Sequence, residues 1–223
     1  MKLQVHHIQL RMSNAYVIEL PSALFLIDAG SPGDAKKILT RLNAFRGKPL
    51  RLIYITHAHL DHYGESASVQ RATNAPLMIH AEDADAISKG ETHLGHVRGR
   101  GRLTAALMPI VKRLFPVEPV TADHLVHDGQ DLQDFGLPGY VLHTPGHTPG
   151  STSLIVDGRL AFIGDLISTF GVPHTQQLYA NDWSEIEKSL DRLKALDLEW
   201  LYPGHGRRPL SGAEFASLVS KQR

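Results

Sequence analysis

Three histidines and one aspartate lie within the seven residues 56–62, which read Thr-His-Ala-His-Leu-Asp-His. Imidazole and carboxylate groups together suit a transition metal, and four of them exceed what one catalytic ion normally takes from a protein. His57 and His59 are two residues apart, so on an extended segment their side chains point the same way. Asp61 and His62 are expected to begin the next helix, with Asp61 near its N-cap, and to point elsewhere. The cluster therefore predicts ligands for two neighbouring metal positions.

Three further candidate ligands follow later in the chain, each after a predicted strand. His147 lies in Thr-Pro-Gly-His-Thr-Pro-Gly, Asp165 follows Gly164, and His205 lies in Pro-Gly-His-Gly. Binding residues are often displayed where strands end at one edge of a sheet. A lone histidine at such a place is more often structural, and a Gly-Asp pair alone is a turn signal. Their joint occurrence after the first cluster favours a metal site.

In order and spacing, these motifs resemble the metallo-β-lactamase-fold hydrolase superfamily over about residues 17–205, with the ligand set of its glyoxalase II and lactonase branches. The resemblance implies an α/β fold of four layers, an αββα sandwich with two sheets between helices. It also implies two divalent metal ions that share one aspartate. The implied ligands are His57, His59 and His147 for the first ion, Asp61, His62 and His205 for the second, and Asp165 as the bridge.

Asp28, in the segment Phe-Leu-Ile-Asp-Ala-Gly, has two interpretations. The resemblance implies that its carboxylate orients a ligand histidine. Taken without the resemblance, it is a helix-capping or turn aspartate. The sequence leaves both interpretations open.

The ligand types predict hydrolytic chemistry. Two divalent ions about 3.5 Å apart can share a water and lower its pKa to about 7, which makes a bridging hydroxide available at neutral pH. Asp61 and Asp165 are the candidate catalytic residues, and Asp165 would fix the distance between the ions and accept a proton from the water. Zinc suits the nitrogen-rich set best, and iron and manganese tolerate the same mixture.

Composition narrows the class of protein. The 223 residues suit a single domain over 1–223 with a substantial core. Lysine plus arginine equals aspartate plus glutamate, so a net charge of zero argues against global attraction to nucleic acid or an anionic membrane. The absence of cysteine excludes disulfides, thiolate metal sites and a cysteine nucleophile. We expect a cytoplasmic protein with a small-molecule substrate, no membrane as a partner and no membrane-spanning segment; a homodimer is left open.

Hydrophobic periodicity predicts mixed strands and helices. The predicted strands cover 3–10, 15–20, 23–28, 50–55, 77–79, 124–127, 131–134, 139–143, 151–156, 159–163 and 200–202, and the predicted helices cover 33–46, 62–73, 183–196 and 212–221. The middle segment, near 81–120, is predicted to be an inserted cap over the metal cleft that carries substrate specificity. Its alternative is a solvated surface excursion with a buried helix. His93 and His96 could share a helix face there, and surface histidines are favoured over a third metal site.

Departures from known branches limit the substrate. Asp165 is present and cysteine absent, which argues against β-lactam cleavage. Flavo-diiron proteins place glutamate at the position of His59, which argues against that branch. Glyoxalase II enzymes add a helical region for glutathione, whereas this chain continues for 18 residues beyond His205. Lactonases usually place a tyrosine three residues after the bridging aspartate, where Ser168 stands here. Hydrolysis of a small ester, thioester or lactone is therefore the leading prediction. The alternatives are an RNA phosphodiesterase and a mononuclear iron persulfide dioxygenase, in which Asp61, His62 and His205 would not be ligands.

Overall fold

The computed structural model describes residues 3–220 of the chain. The strands are β1 (Gln4–Gln9), β2 (Asn14–Glu19), β3 (Leu24–Ile27), β4 (Leu50–Tyr54), β5 (Leu77–His80), β6 (His96–Val97), β7 (His124–Val126), β8 (Gly139–His143), β9 (Thr152–Val156), β10 (Leu160–Thr169), β11 (His174–Thr175), β12 (Tyr179–Ala180), β13 (Trp200–Gly206) and β14 (Leu210–Ser211). The helices are α1 (Ala35–Asn43), α2 (Leu60–Tyr63), α3 (Ser66–Thr73), α4 (Ala81–Lys89), α5 (Gly101–Leu114), α6 (Trp183–Lys194) and α7 (Gly212–Ser220). The predicted end of the last helix, Lys221, lies outside the described residues. None of the described helices has the length and apolar character needed to cross a bilayer.

Two six-stranded sheets form the middle layers. The first has the strand order β1-β2-β3-β4-β5-β7, and the second has the order β14-β13-β10-β9-β8, with β11 paired to β10. Their facing sides bury one apolar cluster that includes Phe25, Tyr54 and Phe162. Burial of each such side chain contributes about 1.5–3 kcal/mol, so this cluster holds the two sheets together.

Helices cover the outer face of each sheet. On the first sheet, Ile38 of α1, Val69 of α3 and Ile87 of α4 belong to one buried cluster. On the second, α6 and α7 pack their buried side chains in another. The layers therefore follow the order helix, sheet, sheet, helix, and the predicted αββα sandwich is confirmed. Because Ile87 packs in the core, α4 is part of the sandwich and not part of an excursion.

The prediction of one continuous helix over 62–73 is wrong. The chain forms α2, bends at Gly64 and Glu65, and then forms α3. A Cβ on Gly64 would lie 2.8 Å from the carbonyl oxygen of Gly30, and the Glu65 carboxylate accepts a hydrogen bond from the Gly33 N–H. The bend therefore comes from close packing against the turn that follows β3.

Three predicted strands also differ from the structure. The strand at 131–134 is wrong, because Asp131 accepts a hydrogen bond from the Gln133 N–H at 2.8 Å and a 3₁₀ turn begins there. The strands predicted to end at 163 and 202 continue as β10 and β13. Asp165 and His205 therefore lie inside paired strands and do not follow them.

Candidate metal centre

Asp28 holds the first ligand cluster in place. Its carboxylate accepts hydrogen bonds from the Thr56 N–H at 2.8 Å and the Thr56 hydroxyl at 2.9 Å, and it lies 2.7 Å from His62 Nδ1. Asp28 itself has a φ of 60°, a left-handed conformation that costs energy in a residue other than glycine. Of the two interpretations of Asp28, the hydrogen bonds support the one in which it orients a histidine.

An irregular pairing of β10 with β13 brings Asp165 into the site. The register shifts between Phe162 and Gly164 and again between Gly164 and Ser168. Gly164 has a φ of 49°, and a Cβ on Gly204 would lie only 2.5 Å from Asp165 Oδ1. Glycine is favoured at the first position by its conformation and at the second by the close approach of the carboxylate.

The seven predicted ligands converge in two adjacent groups. Within each group the candidate ligand atoms lie within 4.8 Å of one another, and the groups are His57, His59, His147 and Asp165, and Asp61, His62 and His205. His147 Nε2 lies 2.9 Å from His59 Nδ1 and 3.3 Å from Asp165 Oδ2. In a tetrahedral zinc site with ligands at about 2.1 Å, ligand atoms are about 3.4 Å apart. The first group therefore has the spacing of a metal site.

The Asp165 carboxylate contacts both groups. Besides His147, it lies 3.2 Å from His62 Nε2 through Oδ1 and 3.1 Å from His205 Nε2 through Oδ2. Asp61 Oδ2 completes the second group at 3.4 Å from His205 Nε2. Asp165 thus lies where a carboxylate shared between two ions would lie.

Each of the five histidine rings is held through its other nitrogen. The partners are the Thr56 hydroxyl for His57 Nδ1, the His93 carbonyl for His59 Nε2, Asp28 for His62 Nδ1, the Tyr179 carbonyl for His147 Nδ1 and the Met12 carbonyl for His205 Nδ1. A ring that donates from one nitrogen presents the lone pair of the other to the site. His57 Nε2, His62 Nε2 and Asp165 Oδ1 are buried without a hydrogen bond. Such unsatisfied atoms are rare, and a cation between them would satisfy them.

The electrostatics of the two groups differ. Burial lowers the pKa of His57 well below its usual value, and burial together with His147 lowers the pKa of His59 to about 3, so both rings are neutral. Burial opposes charge on His62 and His205 as well, but the neighbouring carboxylates, Asp165 foremost, together outweigh it and raise the pKa of His205 to about 9 and that of His62 well above its usual value. Metal binding needs neutral imidazole, so an ion in the second group would displace these protons.

An open cleft of about 330 Å³ leads to Asp165 and His205. Its walls come from residues 9–14 and from the segment 165–179, and they include the exposed apolar side chains of Met12, Phe170 and Leu178. No residue between 81 and 120 lines this cleft, and Arg98 lies over the Trp183 ring at 4.2 Å. The cap role of the middle segment stays a prediction, because the segment contacts the cleft wall through the β6–β12 pairing and the hydrogen bond of the Arg98 N–H to the Leu178 carbonyl but does not line the cleft.

Comparison with known proteins identifies the family. The model of the metallo-beta-lactamase superfamily matches residues 8–205. The chain belongs to the metallo-beta-lactamase superfamily.

Individual members of this superfamily resemble the chain over most of its length. A probable metallo-hydrolase of Bacillus subtilis, YflN, is 29% identical over 96% of this chain and 87% of its own. A hydroxyacylglutathione hydrolase of Methylobacillus flagellatus is 30% identical over 78% of this chain and 55% of its own. The crystal structure of TTHA1623 in a di-iron-bound form superposes with a TM-score of 0.67 at 28% identity, covering 92% of this chain and 93% of that one. Relatives and fold therefore agree on a metal-dependent hydrolase family.

Sequence analysis missed Asp83, whose hydrogen bonds link the two loops that carry histidines of the first group. This buried carboxylate on α4 accepts hydrogen bonds from the Ala58 N–H and the Thr148 hydroxyl, both at 2.7 Å, and from the Gly150 N–H at 2.8 Å. Burial raises its pKa, and those hydrogen bonds oppose the rise. Asp83 lies three residues after the end of β5, and no sequence signal linked it to the distant His147 loop.

Two other sets of histidines are not part of the centre. His80, Glu82 and His143 have the spacing of a ligand group, but His80 Nδ1 accepts a hydrogen bond from the Glu82 N–H, so its lone pair is already used. His93 and His96 do not share a helix, because His93 lies in a loop and His96 in β6. Both side chains are exposed, as surface histidines would be.

We predict that Asp83→Ala lowers the free energy of unfolding by about 2–4 kcal/mol, because the buried N–H groups of Ala58 and Gly150 lose their acceptor. It should also weaken metal binding by the His57, His59 and His147 group. Urea unfolding and metal titration measure the two effects. Asp85→Ala is the matched control, since Asp85 lies on the same helix, is exposed and pairs its carboxylate with Lys89. Equal behaviour of the two variants would contradict the role of Asp83.

Proposed function

We propose that the protein is a hydrolase that binds two divalent metal ions and cleaves a small ester, thioester or lactone. The observation that carries the proposal is the convergence of the seven ligand side chains, with three buried ligand atoms left without hydrogen bonds. The metallo-hydrolase relatives and the di-iron form of TTHA1623 support it. The nitrogen-rich set suits zinc best, and iron and manganese are the alternatives.

The side chains would have different roles in the reaction. When bound, the two ions would supply Lewis acidity that lowers the pKa of water to about 7 and polarises a carbonyl group. His57, His59 and His147 would hold one ion, and Asp61, His62 and His205 the other. Asp165 would span both and accept the proton that the attacking water loses. Asp61 would complete the second ligand set with its carboxylate, and Asp28 would keep His62 Nε2 directed inwards.

Tyr179 is the candidate hydrogen-bond donor to the substrate. Its ring lies 5.6 Å from that of His147 and 5.9 Å from that of His59, and it lines the cleft. Burial raises the pKa of its phenol, so the hydroxyl keeps its proton at neutral pH. We infer that this hydroxyl donates a hydrogen bond to an oxygen of the substrate.

The cleft favours a small acyl substrate. Its volume of about 330 Å³ is at the small end of ligand pockets, and Met12, Phe170 and Leu178 provide an apolar rim. The relative named hydroxyacylglutathione hydrolase supports hydrolysis of an acyl compound. Hydrolytic profiling of the metal-loaded protein against lactones, thioesters, esters and phosphodiesters tests the class. Faster cleavage of phosphodiesters than of all acyl compounds would overturn it.

Metal-replete protein is expected to contain about two ions per chain, because the ligands form two groups. His205→Ala should reduce this to about one, since it removes a ligand of the second group only. Elemental analysis measures the content, and His124→Ala, at an exposed position outside the centre, is the matched control. Fully active wild-type protein with a stable content of one ion would instead favour the mononuclear iron alternative.

Asp165→Asn is expected to lower the hydrolytic rate by at least about 100-fold and to loosen both ions, because one carboxylate contacts both groups. The rate on the best substrate of the panel and the metal content are measured together. Asp134→Asn, at an exposed position, should change neither. Wild-type turnover and metal content in Asp165→Asn would show that the shared position is assigned wrongly.

Tyr179→Phe is expected to lower kcat by about 10–100-fold while the metal content stays unchanged, because only the hydrogen-bond donor is removed. The measurement is kcat and KM on an acyl substrate. Tyr140→Phe, on β8 and outside the cleft, is the control that should leave both constants unchanged. An unaltered kcat in Tyr179→Phe would remove Tyr179 from the reaction.

A further inference from the structure

Helix α5 presents its apolar side to solvent. Leu103, Leu107, Ile110 and Leu114 follow the spacing of one helix face and are between 46% and 68% exposed, and Phe115, directly after the helix, is 47% exposed. These are five of the eleven exposed large hydrophobic side chains in the described part of the chain. We refer to these five residues as the α5 face. A contiguous apolar surface of this kind marks an interaction site.

Only positive charges accompany the α5 face. The segment 98–115 contains no carboxylate and five exposed cations, namely Arg98, Arg100, Arg102, Lys112 and Arg113. Among residues 3–220, none of these cations forms an ion pair with a carboxylate. By contrast, exposed arginines elsewhere on the surface do so, as in the pairs of Arg71 with Glu118 and Arg208 with Glu214. A local charge of +5 therefore lies on a chain of zero net charge.

We propose that the α5 face docks on an anionic lipid bilayer. A basic amphipathic helix lies in the plane of a membrane interface, with its apolar side among the acyl chains and its cations among the headgroups. The 14 residues of α5 make a helix about 21 Å long, which lays the whole face on the surface at once. The zero net charge of the chain argues against a global attraction to such a surface, so the attraction is confined to this face.

Charge also argues against a second copy of the chain as the occupant. In a two-fold symmetric pair, parallel α5 helices would place each cation beside its own counterpart, and antiparallel helices would place opposite ends of the segment side by side. Arg102, at one end of the face, would then lie beside Lys112 and Arg113 of the other copy. Like charges would meet at both ends of the pair, with no carboxylate in the segment to separate them.

The α5 face is fixed to the wall of the cleft. The strand before the helix, β6, pairs with β12, and the Arg98 N–H donates a hydrogen bond to the Leu178 carbonyl at 2.7 Å. Gly101 packs against the same carbonyl, where a Cβ would lie 2.4 Å from the oxygen. Leu178 and Tyr179 line the cleft, so docking through α5 would hold the bilayer beside the segment that lines it.

Vesicle sedimentation of the full chain tests the proposal. Vesicles of equimolar phosphatidylglycerol and phosphatidylcholine should bind the protein at least about tenfold more strongly than phosphatidylcholine alone, and added salt should weaken the binding. Arg102→Glu with Arg113→Glu should abolish it. Lys36→Glu with Lys194→Glu makes the same change in net charge at exposed positions elsewhere and should leave most of the binding.

The apolar contribution is tested in the same assay. Leu107→Ser with Ile110→Ser should reduce vesicle binding about tenfold or more, whereas Leu125→Ser with Trp200→Ser, at exposed apolar positions elsewhere, should not. Circular dichroism and thermal unfolding establish that each variant is folded. Equal binding by the α5 variants and their controls would overturn the proposal. Absence of vesicle binding, together with a dimer in sedimentation velocity that Leu107→Ser with Ile110→Ser dissociates, would overturn it in favour of a second copy.

Discussion

The mutual burial of the Asp165 carboxylate and the surrounding imidazoles is the constraint on which the rest of the site depends. Three histidine nitrogens lie 3.1–3.3 Å from its oxygens in a region almost closed to solvent. Moving a carboxylate into such surroundings costs several kcal/mol unless positive charge or hydrogen bonds compensate. In the absence of an ion, protons on His62 and His205 supply that charge, which is why Asp165 keeps a pKa well below its usual range although burial alone would raise it.

That constraint explains why the ligands come from both sheets. Asp28 and the cluster at 57–62 follow strands of the first sheet, whereas His147, Asp165 and His205 belong to the second. Hydrogen bonds between the halves fix their relative position: the Tyr54 hydroxyl donates to the Thr152 hydroxyl at 2.7 Å, and the Tyr16 hydroxyl donates to the Pro203 carbonyl at 2.7 Å. A small rotation of one sheet on the other would separate Asp165 from the first group, so the core between the sheets also sets the geometry of the centre.

The candidate ligands and most of the strands and helices could be predicted because they have local signals: ligand types recur at fixed spacings, and apolar periodicity distinguishes strands from helices. The layer order was predicted through the resemblance to the superfamily and not through periodicity. The features that could not be predicted depend on contacts between distant segments of the chain. The break at Gly64 comes from the turn at Gly30, the position of Asp165 inside a strand comes from the shifted pairing with β13, and Asp83 reaches loops that are far away in the chain. The strand prediction at 131–134 was wrong for a local reason, because the Asp131 side chain accepts a hydrogen bond from the Gln133 N–H and a 3₁₀ turn forms there.

Most of the candidate ligands and the walls of the cleft come from different parts of the chain, and Asp165 and His205 belong to both. The histidine rings are held through their second nitrogens by neighbouring side chains and carbonyl groups, which fixes their orientation. The cleft walls come from residues 9–14 and 165–179, and the side chains of Met12, Phe170 and Leu178 are exposed there. The segment after α4 contacts these walls from outside the cleft, through the β6–β12 pair and through the hydrogen bond of the Arg98 N–H to the Leu178 carbonyl. Changes on α5 can therefore alter what the outer surface binds while the β6–β12 pairing and the seven ligand side chains stay in place.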